Sequence, residues 1–217
     1  MRTFGFPEFL FILEAARWTI ALSLIAFVGG AIGGLLVALG RTSESRVAQA
    51  VATAFVQVFQ GTPLLLQLFL VFFGAPVLGI DVNPWVAAGV ALILNTSAFL
   101  GEIWRGCIQA IPHGQTEAAH ALGLHYFARM RDVVLPQAFK IALPPTVGYM
   151  VQVIKGTSLA AIIGFTEVTR AGQIINNATF QPLIVFSLVA GIYFALCWPL
   201  SLLAQHMERR QARALAR

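Results

Sequence analysis

The hydrophobic positions of this chain form long continuous blocks, and short polar segments separate each block from the next. A helix needs about 20 apolar residues to cross the hydrocarbon core of a membrane. The blocks predict five such helices, at residues 18–39, 47–73, 84–104, 138–154 and 182–203. We therefore expect an all-α, polytopic membrane protein with about five transmembrane helices, built as one domain over residues 1–217.

The main membrane part comprises residues 18–205, and within it residues 105–137 form a polar loop. Beyond it, residues 206–217 form a short basic tail. The N-terminal segment, residues 1–17, includes an amphipathic stretch at residues 7–17, in which Phe9 and Ile12 are apolar and Glu8 and Arg17 are charged. This stretch is either a helix lying on the membrane surface or the beginning of the first span.

Two of the predicted spans are interrupted. Pro63 lacks a backbone N–H and should open the second span locally. Such a break is tolerated at membrane depth only where protein or a water-filled cavity satisfies the freed groups. In the fourth span, Pro144 and Pro145 should kink or delay the helix, and residues 159–173 should form a broken or surface-lying segment on the outer side. One helical face of the second span is polar, which indicates either a cavity or a helix contact: Thr53, Gln57, Gln60 and Gln67.

Glycines recur in the first span at a spacing that brings small residues onto adjacent helical faces. They are Gly29, Gly30, Gly33 and Gly34. In a membrane, small residues at this spacing allow two helix backbones to approach closely. The first span is therefore expected to pack tightly against another helix.

Composition agrees with a membrane protein and excludes several other classes. Only 11% of the residues are charged and 58% are hydrophobic, whereas soluble domains have about 25% charged residues. Cys107 and Cys197 are too isolated to form a disulfide framework or a metal motif. The net charge of +5 comes without a basic-aromatic segment, so nucleic acid is not an expected partner. Glu8 and Glu14 would spoil the apolar core of a cleavable signal peptide.

The basic residues also predict an orientation. Five spans place the two termini on opposite sides, and basic residues concentrate on the cytoplasmic side. With the C-terminus inside, ten of the 14 Lys and Arg residues lie in the cytoplasm and four lie outside. The cytoplasmic set is Arg41, Arg46, Arg105, Arg129, Arg131, Lys140, Arg209, Arg210, Arg213 and Arg217. The N-terminus is then periplasmic.

The polar loop carries a spaced motif. It reads Glu-Ala-Ala at residues 117–119, three residues, Gly123, nine residues, Val133, one residue, and Leu135-Pro136. Gly123 should end a short helix that begins near Glu117, in a backbone conformation that glycine adopts easily. An ordinary helix–turn–helix loop between two spans is the alternative interpretation.

This motif resembles the E-A-A-x3-G-x9-I-x-L-P loop of permease subunits of bacterial ATP-binding-cassette (ABC) importers, with Val133 in place of Ile. Three further stretches are similar to polar amino-acid permeases of that group. Residues 59–64 read F-Q-G-T-P-L, where Gln60 replaces an Arg. Residues 95–105 match N-x-x-x-(Y/F)-x-x-E-x-x-R, and residues 155–159 read K-G-T-S-L, where Gly156 replaces an Asp.

The resemblance implies two groups of functional residues. The loop would be cytoplasmic and would dock on the ATPase through Glu117, Ala118, Ala119, Gly123, Leu135 and Pro136. The substrate path would include Gln57, Gln60, Thr62, Asn95, Ser97, Glu102, Lys155, Thr157 and Ser158. Polar groups inside membranes are costly and usually functional, but Glu102 could equally form an ion pair with Arg105.

The resemblance also implies the partners. They are two ABC ATPase subunits, a second permease chain that is identical or homologous, a periplasmic amino-acid-binding protein and the lipid bilayer. The chain has no G-x-x-x-x-G-K-(S/T) loop, so ATP and Mg²⁺ would be bound by the separate ATPase, and this chain would hold no cofactor, metal or catalytic residue. The expected function is import of a polar amino acid across the bacterial inner membrane.

The identity of the cargo is less constrained. The candidate path residues are mostly neutral, which favours glutamine or glutamate, and a basic amino acid or cystine is the alternative. An ion-coupled secondary transporter is a further possibility, although such folds often show internal repeats, and none is visible in the sequence. A non-transporting membrane anchor would not explain the polar stripe or the two interrupted spans.

Overall fold

The computed structural model describes residues 3–215, with side chains as far as residue 213, and this part of the chain is built from helices without strands. Arg2 and Arg217, which belong to the charge count above, lie outside the described residues. The α-helices are α1 Phe6–Thr42, α2 Arg46–Gly61, α3 Leu64–Val77, α4 Pro84–Gln109, α5 His113–Ala121, α6 Tyr126–Arg129, α7 Leu135–Thr157, α8 Val168–Thr179 and α9 Pro182–Leu215. A π-helical segment, Met130–Val134, precedes α7, and a 3₁₀ segment, Ser158–Ile163, follows it.

The expectation of about five spans is confirmed. Four helical segments are long and apolar enough to cross a membrane: Phe6–Thr42, Pro84–Gln109, Tyr126–Ile163 and Pro182–Arg213. The pair α2 and α3, whose axes differ by 101° across the break between Gly61 and Leu64, makes a fifth candidate span when the two helices are taken together. Pro63 lies at this break, as the sequence predicts.

Helices α1 and α4 form the tightest contact of the membrane part. A Cβ atom at Gly30 would lie 2.3 Å from Cγ2 of Thr96, and one at Gly34 would lie 2.9 Å from Cβ of Leu100. On the facing helix, a Cβ at Gly101 would lie 2.5 Å from Cγ1 of Val37. These glycines let the two backbones approach closely, which confirms the packing expected from the glycine spacing.

Three buried clusters hold the other helices together. The largest joins α1, α3, α4, α7 and the segment after α7, with Leu22, Leu68, Leu92 and Phe165 among its members. A second packs α8 between α1 and α9, and a third lies beneath the polar loop. Large apolar side chains that these clusters leave exposed, such as Leu36 and Leu183, suit contact with lipid.

Several element boundaries differ from the predicted ones. Residues 7–17 are the first turns of α1 rather than a separate helix, and α3 continues to Val77, so the connection between α3 and α4 is limited to residues 78–83. Pro144 and Pro145 lie inside α7 without ending it. Neighbouring helices make proline tolerable at such positions in membrane proteins. The tail is helical to Leu215, because the residues beyond 203 are mostly good helix formers.

Candidate functional site

The motif around Glu117 lies on α5, a short helix between the third and fourth spans. α5 begins at His113 rather than near Glu117, because the carbonyl of Pro112 already accepts a hydrogen bond from the Gln115 N–H at 3.0 Å. Glu117 and Ala118 are exposed, whereas Ala119 is buried against the rest of the loop. The helix thus presents one small, accessible face outside the membrane spans.

Gly123 ends this helix as the sequence predicts. Its φ angle is +75°, in the left-handed region that favours glycine. The Gly123 N–H donates to the His120 carbonyl at 2.9 Å, and the Leu124 N–H donates to the Ala119 carbonyl at 3.0 Å. This pair of bonds is the Schellman arrangement, which satisfies carbonyls that the helix end would otherwise leave free.

The second half of the motif anchors the loop to the fourth span. Leu135 is the first residue of α7, and Pro136 follows it in the first turn, directly after the π-helical segment. Just before it, Met130 and Val134 are buried together with Ile111 and Ala138. This small core holds the segments on either side of α5 against α4 and α7.

Glu102 lies at the end of α4 nearest this loop and is paired with two arginines. Its carboxylate accepts a hydrogen bond from Nε of Arg105 at 2.9 Å and lies 3.1 Å from Nη1 of Arg41 in α1. The geometry favours the ion-pair interpretation of Glu102 over a substrate role. The partner in α1 was not foreseen, since no periodic pattern relates residues so distant in sequence.

A cluster of amide side chains lies behind the break in the second span. Nε2 of Gln67 donates to the carbonyls of Phe59 and Thr62, at 2.8 and 3.0 Å, and its Oε1 accepts from Nδ2 of Asn95 at 3.1 Å. Asn95 is buried, and Gln67 is 5% exposed. These bonds satisfy backbone groups that the break frees, so both amides serve a helix contact. Nearby, Nε2 of Gln60 donates to the Ala98 carbonyl at 3.2 Å.

The remaining predicted path residues fall into two groups. Ser97 and Thr157 are buried, and each hydroxyl donates to a carbonyl of its own helix, Ile93 and Ile154, at 2.7 Å. The accessible or partly accessible group is Gln57, Gln60, Thr62, Lys155 and Ser158. Gly156 brings the end of α7 to the break, because a Cβ there would lie 3.2 Å from Cδ2 of Leu64.

Comparison with known proteins agrees with this arrangement. The family described as "Binding-protein-dependent transport system inner membrane component" matches residues 29–213. The chain belongs to this family. The chain is 36% identical over 206 residues to the glutamine transport system permease protein GlnP of Escherichia coli (strain K12), covering 94% of each protein. It is 38% identical over 208 residues to the arginine transport system permease protein ArtQ of Bacillus subtilis (strain 168), again with 94% of each covered.

A solved structure is similar over almost the whole permease. A chain from the crystal structure of an amino acid ABC transporter with histidines is 33% identical, with a TM-score of 0.87, and covers 96% of this permease and 100% of that chain. The predicted resemblance to amino-acid permeases of ABC importers is therefore confirmed.

The structure also reveals a buried carboxylate that the sequence analysis missed. Glu167 of the permease caps α8, accepting from the N–H groups of Thr169 and Arg170 at 2.9 Å, and it accepts from the Tyr193 hydroxyl of α9 at 2.6 Å. Burial raises the pKa of the Glu167 carboxyl, and these hydrogen bonds oppose the rise. An acidic residue directly before a polar helix was the available signal. Its role here is to fix α8 against α9.

Proposed function

We propose that this permease docks through α5 onto a separate ATPase and forms the membrane path for glutamine or glutamate. The observation that carries the docking proposal is the geometry of α5, a short helix outside the spans, closed by Gly123 at a φ of +75°. Leu122 and Phe127 beside it are 80% and 78% exposed. Exposed apolar side chains outside the membrane suit a protein partner.

The proposed orientation places α5 and the C-terminus in the cytoplasm and the N-terminus in the periplasm. It rests on the division of the 14 basic residues into ten inside and four outside. A reporter that is active only in the periplasm, fused after Arg217, should be silent. The same reporter fused ahead of Thr3 should be active. The reverse pattern would contradict the orientation.

The proposed assembly contains further subunits. One chain with about five spans is too small to enclose a path, so two permease chains, identical or homologous, would meet about a two-fold or pseudo-two-fold axis. Two ATPase subunits would bind ATP and Mg²⁺, and a periplasmic binding protein would deliver the amino acid. Closure of the ATPases would move α5, and the spans would alternate between outward-open and inward-open arrangements.

The charge of the accessible path residues supports an uncharged or acidic cargo. Glu102 is engaged by Arg41 and Arg105, so its carboxylate is not free to bind a cationic amino acid. Gln57 and Ser158 are neutral, and the exposed Lys155 would repel arginine or lysine. Relatives named for glutamine and for arginine transport are about equally identical to the chain, so the proposed cargo rests on the charges of these residues.

The test is uptake by the complete transporter in proteoliposomes that contain ATP. Labelled glutamine should enter, and unlabelled glutamine or glutamate should compete more strongly than arginine or cystine. An ATPase subunit that binds but does not hydrolyse ATP is the control and should abolish uptake. Stronger competition by arginine would overturn the proposed cargo, whereas uptake that persists with the inactive ATPase would overturn the proposed function itself.

A pair of cysteine variants tests the proposed path. Gln57→Cys and Val58→Cys lie at nearly the same depth of α2, but the two side chains point about 100° apart, and both are exposed in the single chain. In a background without Cys107 and Cys197, we expect a small hydrophilic thiol reagent to modify Gln57→Cys at a rate that substrate or ATP changes. The Val58→Cys thiol should face lipid or protein and react slowly. Equal rates at both positions would contradict the path.

A further inference from the structure

Arg129 lies in the segment that follows α5, and the permease itself encloses most of its side chain. Only 10% of that side chain is exposed. Its guanidinium contacts the His120 imidazole in α5, lies 5.4 Å from the centre of the Tyr126 ring, and places Nη2 3.4 Å from Oε1 of Glu44. Glu44 belongs to the turn between α1 and α2, so Arg129 joins α5 to that turn.

Tyr126, in the same segment as Arg129, reaches the beginning of this turn independently. Its hydroxyl donates to the carbonyl of Thr42, the last residue of α1, at 3.3 Å. The turn is short, because α2 begins at Arg46. Two neighbouring side chains of the segment after α5 therefore hold one turn, and a displacement of α5 would displace it.

The turn leads into the membrane part along two helices. α1 packs against α4 at Gly30 and Gly34, and Arg41 near its end binds Glu102 of α4. α2 runs from the turn to the break before Pro63, where accessible path residues lie. Packed helices and ion pairs of this kind can carry energetic coupling between distant sites.

We propose that Arg129 is a positioning residue that transmits movement of α5 to the Glu44 turn and so to α1 and α2; the proposal rests on the proposed function above. Arg129 does not act as an ATPase contact, because its side chain is enclosed. Arg131, by contrast, has 87% of its side chain exposed. The Glu44 side chain is 75% exposed, and exposed ion pairs add little stability, so loss of this pair should not unfold the loop.

The test uses the complete transporter in proteoliposomes and, as substrate, a labelled amino acid that the wild-type transporter imports. Two quantities are measured. One is the number of ATP molecules hydrolysed per amino acid imported, and the other is co-purification of the ATPase. In Arg129→Met, we expect normal co-purification and an increase of roughly 2- to 30-fold in ATP used per import. Arg131→Met is the matched control and should leave the ratio unchanged.

A second variant keeps the test decisive if Arg129→Met folds poorly. Glu44→Gln changes only an exposed side chain, so it should raise the ratio without shifting the melting temperature. The double variant should resemble Arg129→Met alone, since the two residues act as one unit. The proposal would be overturned if Arg129→Met left the ratio of ATP used per import unchanged or lost the ATPase. It would also be overturned if Arg131→Met raised the ratio equally, or if the effects of Arg129→Met and Glu44→Gln on the ratio were additive. Failure of the wild-type transporter to import with ATP would instead contradict the proposed function.

Discussion

Gly123→Asp should abolish ATP-dependent uptake without preventing membrane insertion. Within the permease the new side chain has room, because no heavy atom lies within 4 Å of a Cβ built at Gly123. Aspartate also tolerates the left-handed φ of +75° better than most residues do. The expected defect therefore arises outside the chain, where the carboxylate would be buried against the ATPase. An unpaired buried charge costs about 3–5 kcal/mol, which corresponds to a loss of roughly two to four orders of magnitude in binding.

The measurement is co-purification of the ATPase with the Gly123→Asp permease, together with uptake in proteoliposomes. Gly123→Asn is the matched control, because asparagine has almost the same size and the same tolerance of positive φ but carries no charge. It should retain most of the bound ATPase. Normal uptake by Gly123→Asp would mean that α5 is not the coupling element.

Features encoded by local sequence could be predicted for this permease. Apolar blocks of sufficient length predicted the spans, because the membrane requires a minimum helix length and leaves no irregular backbone exposed. Pro63 predicted the break, since a missing N–H acts on its own helix. Gly123 predicted the end of α5 for a similarly local reason, namely that few other residues adopt its φ angle easily.

Features that depend on contacts between distant residues could not be predicted. Asn95 resembled a pore residue, but its amide donates to Gln67, which lies 28 positions earlier in the sequence and itself donates to the Phe59 and Thr62 carbonyls at the break. The pairing of Glu102 with Arg41 likewise depends on how α1 crosses α4. Helical periodicity assigns a polar side chain to a face, and only the packing of the helices determines whether that face meets water or another helix.

The packing of α1 on α4 leads to a second large expected effect, in Gly34→Leu. A Cβ at this position would lie 2.9 Å from Cβ of Leu100, 3.1 Å from the backbone nitrogen of Gly101 and 3.3 Å from the Ser97 carbonyl oxygen. Two of these atoms are backbone, so rotation of a side chain cannot relieve the clash. The helices must separate, and overpacking of this kind costs about 1–3 kcal/mol or more. We expect the melting temperature of the detergent-solubilised permease to fall by roughly 5–10 °C.

Gly191→Leu is the matched control for this variant, because it makes the same substitution in a different membrane helix. Gly191 lies in α9, is exposed, and has no heavy atom within 4 Å of a built Cβ. Its replacement should change the melting temperature by no more than about 2 °C, as is usual for positions without close neighbours. A similar decrease in both variants would show that leucine is harmful at any glycine of these helices. A decrease in melting temperature confined to Gly34→Leu would instead show that the α1–α4 contact cannot accept a larger side chain. The same contact joins the Glu44 turn to the rest of the membrane part.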